Sequence, residues 1–313
     1  MNWNKKTILI TGSSGFLGKT ACEFFLKKNA NIIAVDKIET AIQDPKLKFF
    51  CLDIADENQT KKLHSFKADY CIHLGAISHK VFAENDPNLA WMVNVHGTEN
   101  TLKTCKAMGV QRMVFASSGQ VYGKQSKIVS EETETKPESI YGQTKKEAEE
   151  LCETFSKKTG LHIAIARQTN AFGPNDLPGI RIIPSITDKA IRGNIDVQGD
   201  GSTEKDFIYV YDLMEFYEKV FLLKKWPSSA IVVNVGTGKS RTIKEVVITI
   251  LNLLKIKQKP SFIKEAAESY IECYSVKKAF QVFGWKAKTP FKEGLRQTIE
   301  WLKKTGKKLS ENN

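Results

Sequence analysis

The turn Thr11-Gly12-Ser13-Ser14-Gly15-Phe16-Leu17-Gly18 follows directly on the apolar run 7–10 (TILI) and leads into the helical pattern 17–28. Strand, glycine turn and helix in that order constrain the fold more than any other stretch of the chain. Glycines at 12, 15 and 18 allow a tight turn, close backbone approach to a pyrophosphate and close packing of helix on strand. Amide N–H groups at the start of the helix then face an anion. The spacing is one residue longer than G-x-G-x-x-G, and a Gly/Ser turn with no ligand would look the same in isolation.

The context points to a ligand. Short apolar runs recur at 31–35, 47–52, 69–74, 112–116 and 161–166, with helical patterns between them at 97–107 and 141–158. Such alternation implies a parallel sheet covered on both faces, an α/β doubly wound fold over residues 1–170. Residues 171–313 change character, with turn clusters at 173–179 and 199–203 and helices expected at 180–192, 212–223, 242–254 and 292–304. They read as a smaller mixed α/β lobe, with segments near 206–235 returning to the first domain.

Asp36 ends the second run, placed to accept hydrogen bonds from a ribose diol and to repel a 2′-phosphate. That favours NAD, though Lys37 beside it weakens the preference and NADP stays open. Asp53, after the third run, is placed either to meet an adenine or to cap the next helix.

Tyr141 and Lys145 stand four apart at the start of a helix and share a face. A nearby ammonium favours the phenolate and is expected to lower the phenol from its usual value of about 10. A phenol so tuned can exchange a proton with a sugar hydroxyl while hydride moves. The same spacing at Tyr274 and Lys278 carries no assigned chemistry. Upstream, the run 112–116 stops on Ser117-Ser118-Gly119-Gln120, a polar turn or a hydroxyl offered to a ligand.

Net charge is +12, which raises nucleic acid or an acidic membrane as partners; the lysines are dispersed, without a basic block interleaved with aromatics, and a lysine-rich surface accounts for them. No run approaches the roughly 18 apolar residues of a membrane span. Six cysteines lack C-x-x-C pairing or zinc spacing with the five histidines, so no metal is expected; four lie in apolar surroundings, and a reduced, cytoplasmic setting fits.

Together these segments resemble the extended short-chain dehydrogenase/reductase family, in its nucleotide-sugar epimerase/dehydratase branch. The resemblance rests on TGSSGFLG (11–18), HLGAIS (73–78), NVHGT (94–98), Ser118, Tyr141 with Lys145, RQTNAFGP (167–174), GDGSTEKDFIYVYD (199–212), NVGTGKSRTIKEV (234–246) and a C-terminal segment at 283–302. It implies a Rossmann domain binding NAD(P) through Gly12, Gly15, Phe16, Leu17, Asp36, Asp53, Ile54, Leu74, Ala76, Asn94, Tyr141 and Lys145. Asn94 would brace the active-site helix. Ser118, Gly119, Gln120, Asn170 and Lys205 would meet a nucleoside-diphosphate sugar, and two helices, 97–107 and 141–158, would pair in a homodimer.

Departures from the pattern narrow the chemistry. Related dehydratases carry an acidic pair after the catalytic hydroxyl, where this chain has Gly119-Gln120, neither a useful acid or base. Epimerisation by transient oxidation at C4 is therefore expected, with 4-keto-sugar reduction as the competitor and a non-catalytic RNA-binding relative as the non-enzyme alternative. Lysine at 205 replaces the usual arginine, and Glu265 falls where a second arginine is usual.

Overall fold

The computed structural model describes residues 2–227, 229–263 and 270–311. Thirteen strands run in chain order among them: β1 (Thr7–Thr11), β2 (Asn31–Asp36), β3 (Leu47–Cys51), β4 (Tyr70–His73), β5 (Arg112–Ser118), β6 (His162–Gln168), β7 (Asn170–Phe172), β8 (Asp196–Gln198), β9 (Glu204–Tyr209), β10 (Ala230–Val235), β11 (Ser240–Thr242), β12 (Ser261–Ile263) and β13 (Ile271–Glu272). Seven form one sheet in the order β10-β6-β5-β4-β1-β2-β3, every pairing parallel.

Side chains alternate along these strands, so each strand feeds two cores. Ile8, Ile10, Ile32, Ile72 and Val114 join one core with the helices Phe16–Leu26 and Val210–Leu222. Leu9, Ile33, Cys71, Met113 and Phe115 join the other with the helices Gly97–Met108 and Ile140–Thr159. Both faces are covered, which is why the strands read as continuous apolar runs. On the helices Gly97–Met108 and Ile140–Thr159, the residues Leu102, Cys105, Met108, Ala148 and Cys152 are buried within this one chain. Five cysteines are buried and Cys51 is exposed.

The chain winds outward through β2 and β3, then crosses back to β4 beside β1. The gap between the carboxyl ends of β1 and β4 is the switch point, where ligands bind in open α/β sheets. A third core, built on Phe172, Phe207, Val246, Ile250 and Leu295, underlies the later part of the chain. There β9 pairs with β7, β11 and β13, and β8 with β12. The strand β9 ends at Tyr209 and a helix begins at Val210.

Asp206, on β9, is fully buried and joins this part to the large sheet. Its carboxylate accepts the N–H groups of Thr237 and Gly238, both at 2.9 Å, and the Thr237 hydroxyl at 2.6 Å. The turn after β10 is thereby held against β9. Burial pushes this carboxyl up to about 6 despite those donors. Asp206→Ala leaves buried donors without an acceptor and should cost ~2–4 kcal/mol of stability, read as a lower urea midpoint.

Candidate active site

At the switch point lies a cavity of about 660 Å³, within the usual size of a ligand pocket. Its floor is backbone. Gly12 has φ +68°, and a Cβ there would sit 2.7 Å from the Gly75 nitrogen and the Leu74 carbonyl carbon. A Cβ on Gly18 would sit 1.9 Å from the Gly12 oxygen, so turn, helix and β4 end approach as only glycine permits. Gly15 caps the helix Phe16–Leu26 with no side-chain hydrogen bond, which leaves its first-turn N–H groups facing the cavity beside Phe16 and Leu17. These features fit a dinucleotide pyrophosphate.

Asp36, Asp53, Ile54, Leu74 and Ala76 line the same cavity. Asp36 accepts the Ser14 N–H at 3.0 Å and the Ile38 N–H at 3.1 Å, fixing its carboxylate at the end of β2. Asp53 pairs with Lys37 at 2.9 Å. The helix Glu57–Thr60 is capped by Asp56, so Asp53 does not have the capping role. Lys37 is drawn toward Asp53.

Asn94 does not line the cavity. It is buried in a π-helical turn, Met92–His96, where it accepts the Ile77 N–H at 2.7 Å and donates to Thr144 at 2.9 Å. It braces the β4 loop against the active-site helix, as the resemblance implied, but touches no ligand position. Thr144 in turn donates to the Tyr141 carbonyl oxygen.

A second line of hydrogen bonds runs beneath it. Thr98 donates to the Asn94 carbonyl at 2.6 Å, so its oxygen must accept from His73 Nε2, at 2.9 Å. His73 Nδ1 then accepts from Thr11, at 2.6 Å, and Thr11 accepts the Gly75 N–H. Burial pushes the His73 imidazole down to about 3, in keeping with this neutral tautomer.

Ser118, Tyr141 and Lys145 meet at the mouth of β5. The Ser118 side chain lies beside the Tyr141 hydroxyl and favours its ionised form. Lys145 donates to the Ala116 carbonyl at 2.8 Å, and its Nζ lies 6.0 Å from the Tyr141 ring centroid. The expected lowering of the phenol is not met in the protein alone. Burial pushes Tyr141 up to about 12, with Ser118 opposing it, while burial also brings Lys145 down to about 8.

Ser117 turns to Glu149, one helical turn beyond Lys145, donating at 2.5 Å. Arg167, on β6, clamps the same carboxylate with bonds of 2.7 to 3.2 Å. Gly119 is explained by sterics as well as chemistry: a Cβ there would fall 2.1 Å from the ring of Tyr274, which lines the cavity.

The remaining expected substrate residues converge on a side chain that the sequence reading missed. Glu272 accepts from Gln120 at 2.5 Å, from Asn170 at 3.2 Å and from Lys205 at 2.6 Å. Lys205, Asn170 and Gln120 therefore share one buried carboxylate, held below its ordinary value by Lys205 and the two amides against its burial. Its only sequence signal is a lone acid in the apolar stretch Ile271-Glu272-Cys273-Tyr274. Arg181, paired with Asp176 at 2.5 Å, also reaches the cavity. Glu265 lies outside the described residues.

A buried lysine should show in stability. Its folded value near 8 lies below the unfolded value, so below pH 8 the fold carries the full cost of the ammonium, ~3 kcal/mol at 1.36 kcal/mol per unit. Between about 8 and 10.5 the unfolded chain holds more protons, and stability from this group rises with pH. Lys145→Met should therefore raise the unfolding free energy by ~1–3 kcal/mol at pH 7, with the gain fading by about pH 10.5; chemical denaturation across that range checks it.

The family model for the NAD dependent epimerase/dehydratase family matches residues 8–236. A UDP-glucuronate 4-epimerase of Thermodesulfobacterium geofontis is 28% identical over 312 residues, covering 94% of this chain and 95% of its own length. UDP-arabinose 4-epimerase 1 of Arabidopsis thaliana is 28% identical over 335 residues, covering 95% and 79%. The crystal structure of UDP-glucose 4-epimerase from Thermotoga maritima with UDP-glucose superposes with a TM-score of 0.87 at 25% identity, covering 96% of this chain and 99% of that one. MoeE5 in complex with UDP-glucuronic acid and NAD gives 0.87 at 26% identity, with the same coverage. With the glycine floor, the Tyr141–Lys145 pair and a family match over most of its length, the chain belongs to the NAD dependent epimerase/dehydratase family.

Proposed function

We propose that the chain is an NAD-dependent nucleotide-sugar epimerase acting at C4 of the glycosyl group. The observation that carries this reading is the convergence of Ser118, Tyr141 and Lys145 over the glycine floor in one cavity. The relatives named above are 4-epimerases of UDP-glucose, UDP-glucuronate and UDP-arabinose. On this reading residues 1–170 hold the cofactor and residues 171–313 mainly the sugar nucleotide.

When bound over Gly12, Gly15 and Asp36, NAD would supply the hydride acceptor and a positive charge that favours the phenolate of Tyr141. Tyr141 takes the proton of the sugar 4-hydroxyl and later returns it. Ser118 donates to the same sugar oxygen and holds it against the phenol. Lys145 keeps a positive charge below Tyr141, anchored on the Ala116 carbonyl. Elimination of water is disfavoured: Gly119 and Gln120 offer no acid, and Glu272, held ionised by three donors, is a poor base. The same reading takes the chain as a cytoplasmic homodimer paired through the helices Gly97–Met108 and Ile140–Thr159; among the described residues no helix is long and apolar enough to cross a membrane.

Purified chain should interconvert C4-epimeric UDP-sugars with NAD alone. Tyr141→Phe should lower turnover by roughly 10²–10⁴-fold, the range of a lost acid–base group. Undiminished turnover in Tyr141→Phe would sink the assignment. Consumption of one reduced cofactor per sugar would establish a 4-keto reductase instead.

A further inference from the structure

The carboxylate of Glu272 sits one side chain away from the reacting position. The Gln120 N–H donates to Ser118 Oγ at 3.2 Å, and the Gln120 amide donates to Glu272 Oε1 at 2.5 Å. Ser118, Tyr141, Gln120, Asn170 and Glu272 line the same cavity, so a glycosyl group with its C4 oxygen against the first two would bring its neighbouring substituents toward the other three. We propose that Glu272 is a specificity-determining residue that selects nucleoside-diphosphate sugars whose glycosyl group carries neutral hydroxyls and rejects those bearing a carboxylate. This rests on the epimerase reading above and adds the class of sugar to it.

The hydrogen-bond inventory gives the reason. An ionised carboxylate has about four acceptor sites. Lys205 and Asn170 occupy Oε2, and Gln120 occupies one site on Oε1. A sugar hydroxyl can donate to the site left on Oε1. An incoming carboxylate brings no proton to that site, so acceptor would face acceptor. The second bond of the Asn170 amide goes to the Asp206 carbonyl. Lys205 gives one N–H to Glu272 at 2.6 Å, and Arg181 gives its Nε–H to Asp176 at 2.5 Å. Lys205 contacts Oε2 and not Oε1, and Glu272 is only 5% exposed, so solvent does little to screen a second carboxylate brought against Oε1. Juxtaposed like charges of this kind cost enough to exclude a wrong partner.

The pairing also predicts how the preference could be undone. Removing the charge of Glu272 frees Lys205, Gln120 and Asn170 together, converting an acceptor wall into a donor wall suited to a carboxylate. The test compares kcat/KM for UDP-glucose and UDP-glucuronate in the wild-type chain and in Glu272→Gln. Wild type should favour UDP-glucose by at least about thirty-fold, and the variant should bring the ratio within about three-fold, mainly by gaining activity on the uronate. The wild-type ratio needs no variant and stands even where Glu272→Gln folds poorly. Equal or better use of UDP-glucuronate by wild type, or an unchanged ratio in a folded variant, overturns the role of Glu272 and leaves the epimerase reading intact. Failure of both sugar nucleotides to react in wild type overturns both.

Discussion

The buried pair of Glu149 and Arg167 is the contact on which the geometry of the site depends. The two residues are 1% and 5% exposed, and they meet where three elements must keep register. Glu149 belongs to the helix that carries Tyr141 and Lys145, Arg167 to β6, and the third partner, Ser117, to β5. Because Ser117 is tied to the helix, its neighbour Ser118 is held at a set height against Tyr141. Burying both charges is costly by itself. Bidentate contact, the Ser117 hydroxyl and the ring of Tyr122, 4.8 Å from the Arg167 guanidinium, offset that cost.

A different constraint holds the cofactor side. There the decisive fact is the absence of side chains: Gly12 and Gly18 let the turn, the helix and the end of β4 approach where any Cβ would collide. The two halves are then joined by side-chain hydrogen bonds, through His73 and Thr98 from the turn to Asn94, and through Thr144 from Asn94 to the active-site helix.

Much of this was legible in the sequence, for identifiable reasons. The large sheet is built of runs buried on both faces, and such runs announce themselves; the glycine turn, Asp36 and the Tyr141–Lys145 spacing are local signals. The smaller sheets were not legible. Strands such as β7, β11 and β13 are two or three residues long and exist only because distant segments pair with β9. Glu272 lies on one of these, so its meeting with Lys205, 67 residues away, leaves no trace in local pattern. The lowering of the phenol is not met in the protein alone, because spacing along a helix shows which groups are neighbours and not how much water each has lost.

The hydrogen bonds through His73 have a direction. They begin on the amide of Gly75 and end on the carbonyl of Asn94, and neither backbone group can yield or accept a whole proton. The imidazole between them is fixed as one tautomer with both nitrogens occupied. The line therefore stiffens the site without conducting. On the proposed reading, a proton taken from a sugar by Tyr141 finds no conductor in this line and goes back by the opening it came from. For a reaction that ends with the same atoms it started with, a dead end is the useful architecture: what is borrowed stays within reach of the carbon to which it must return.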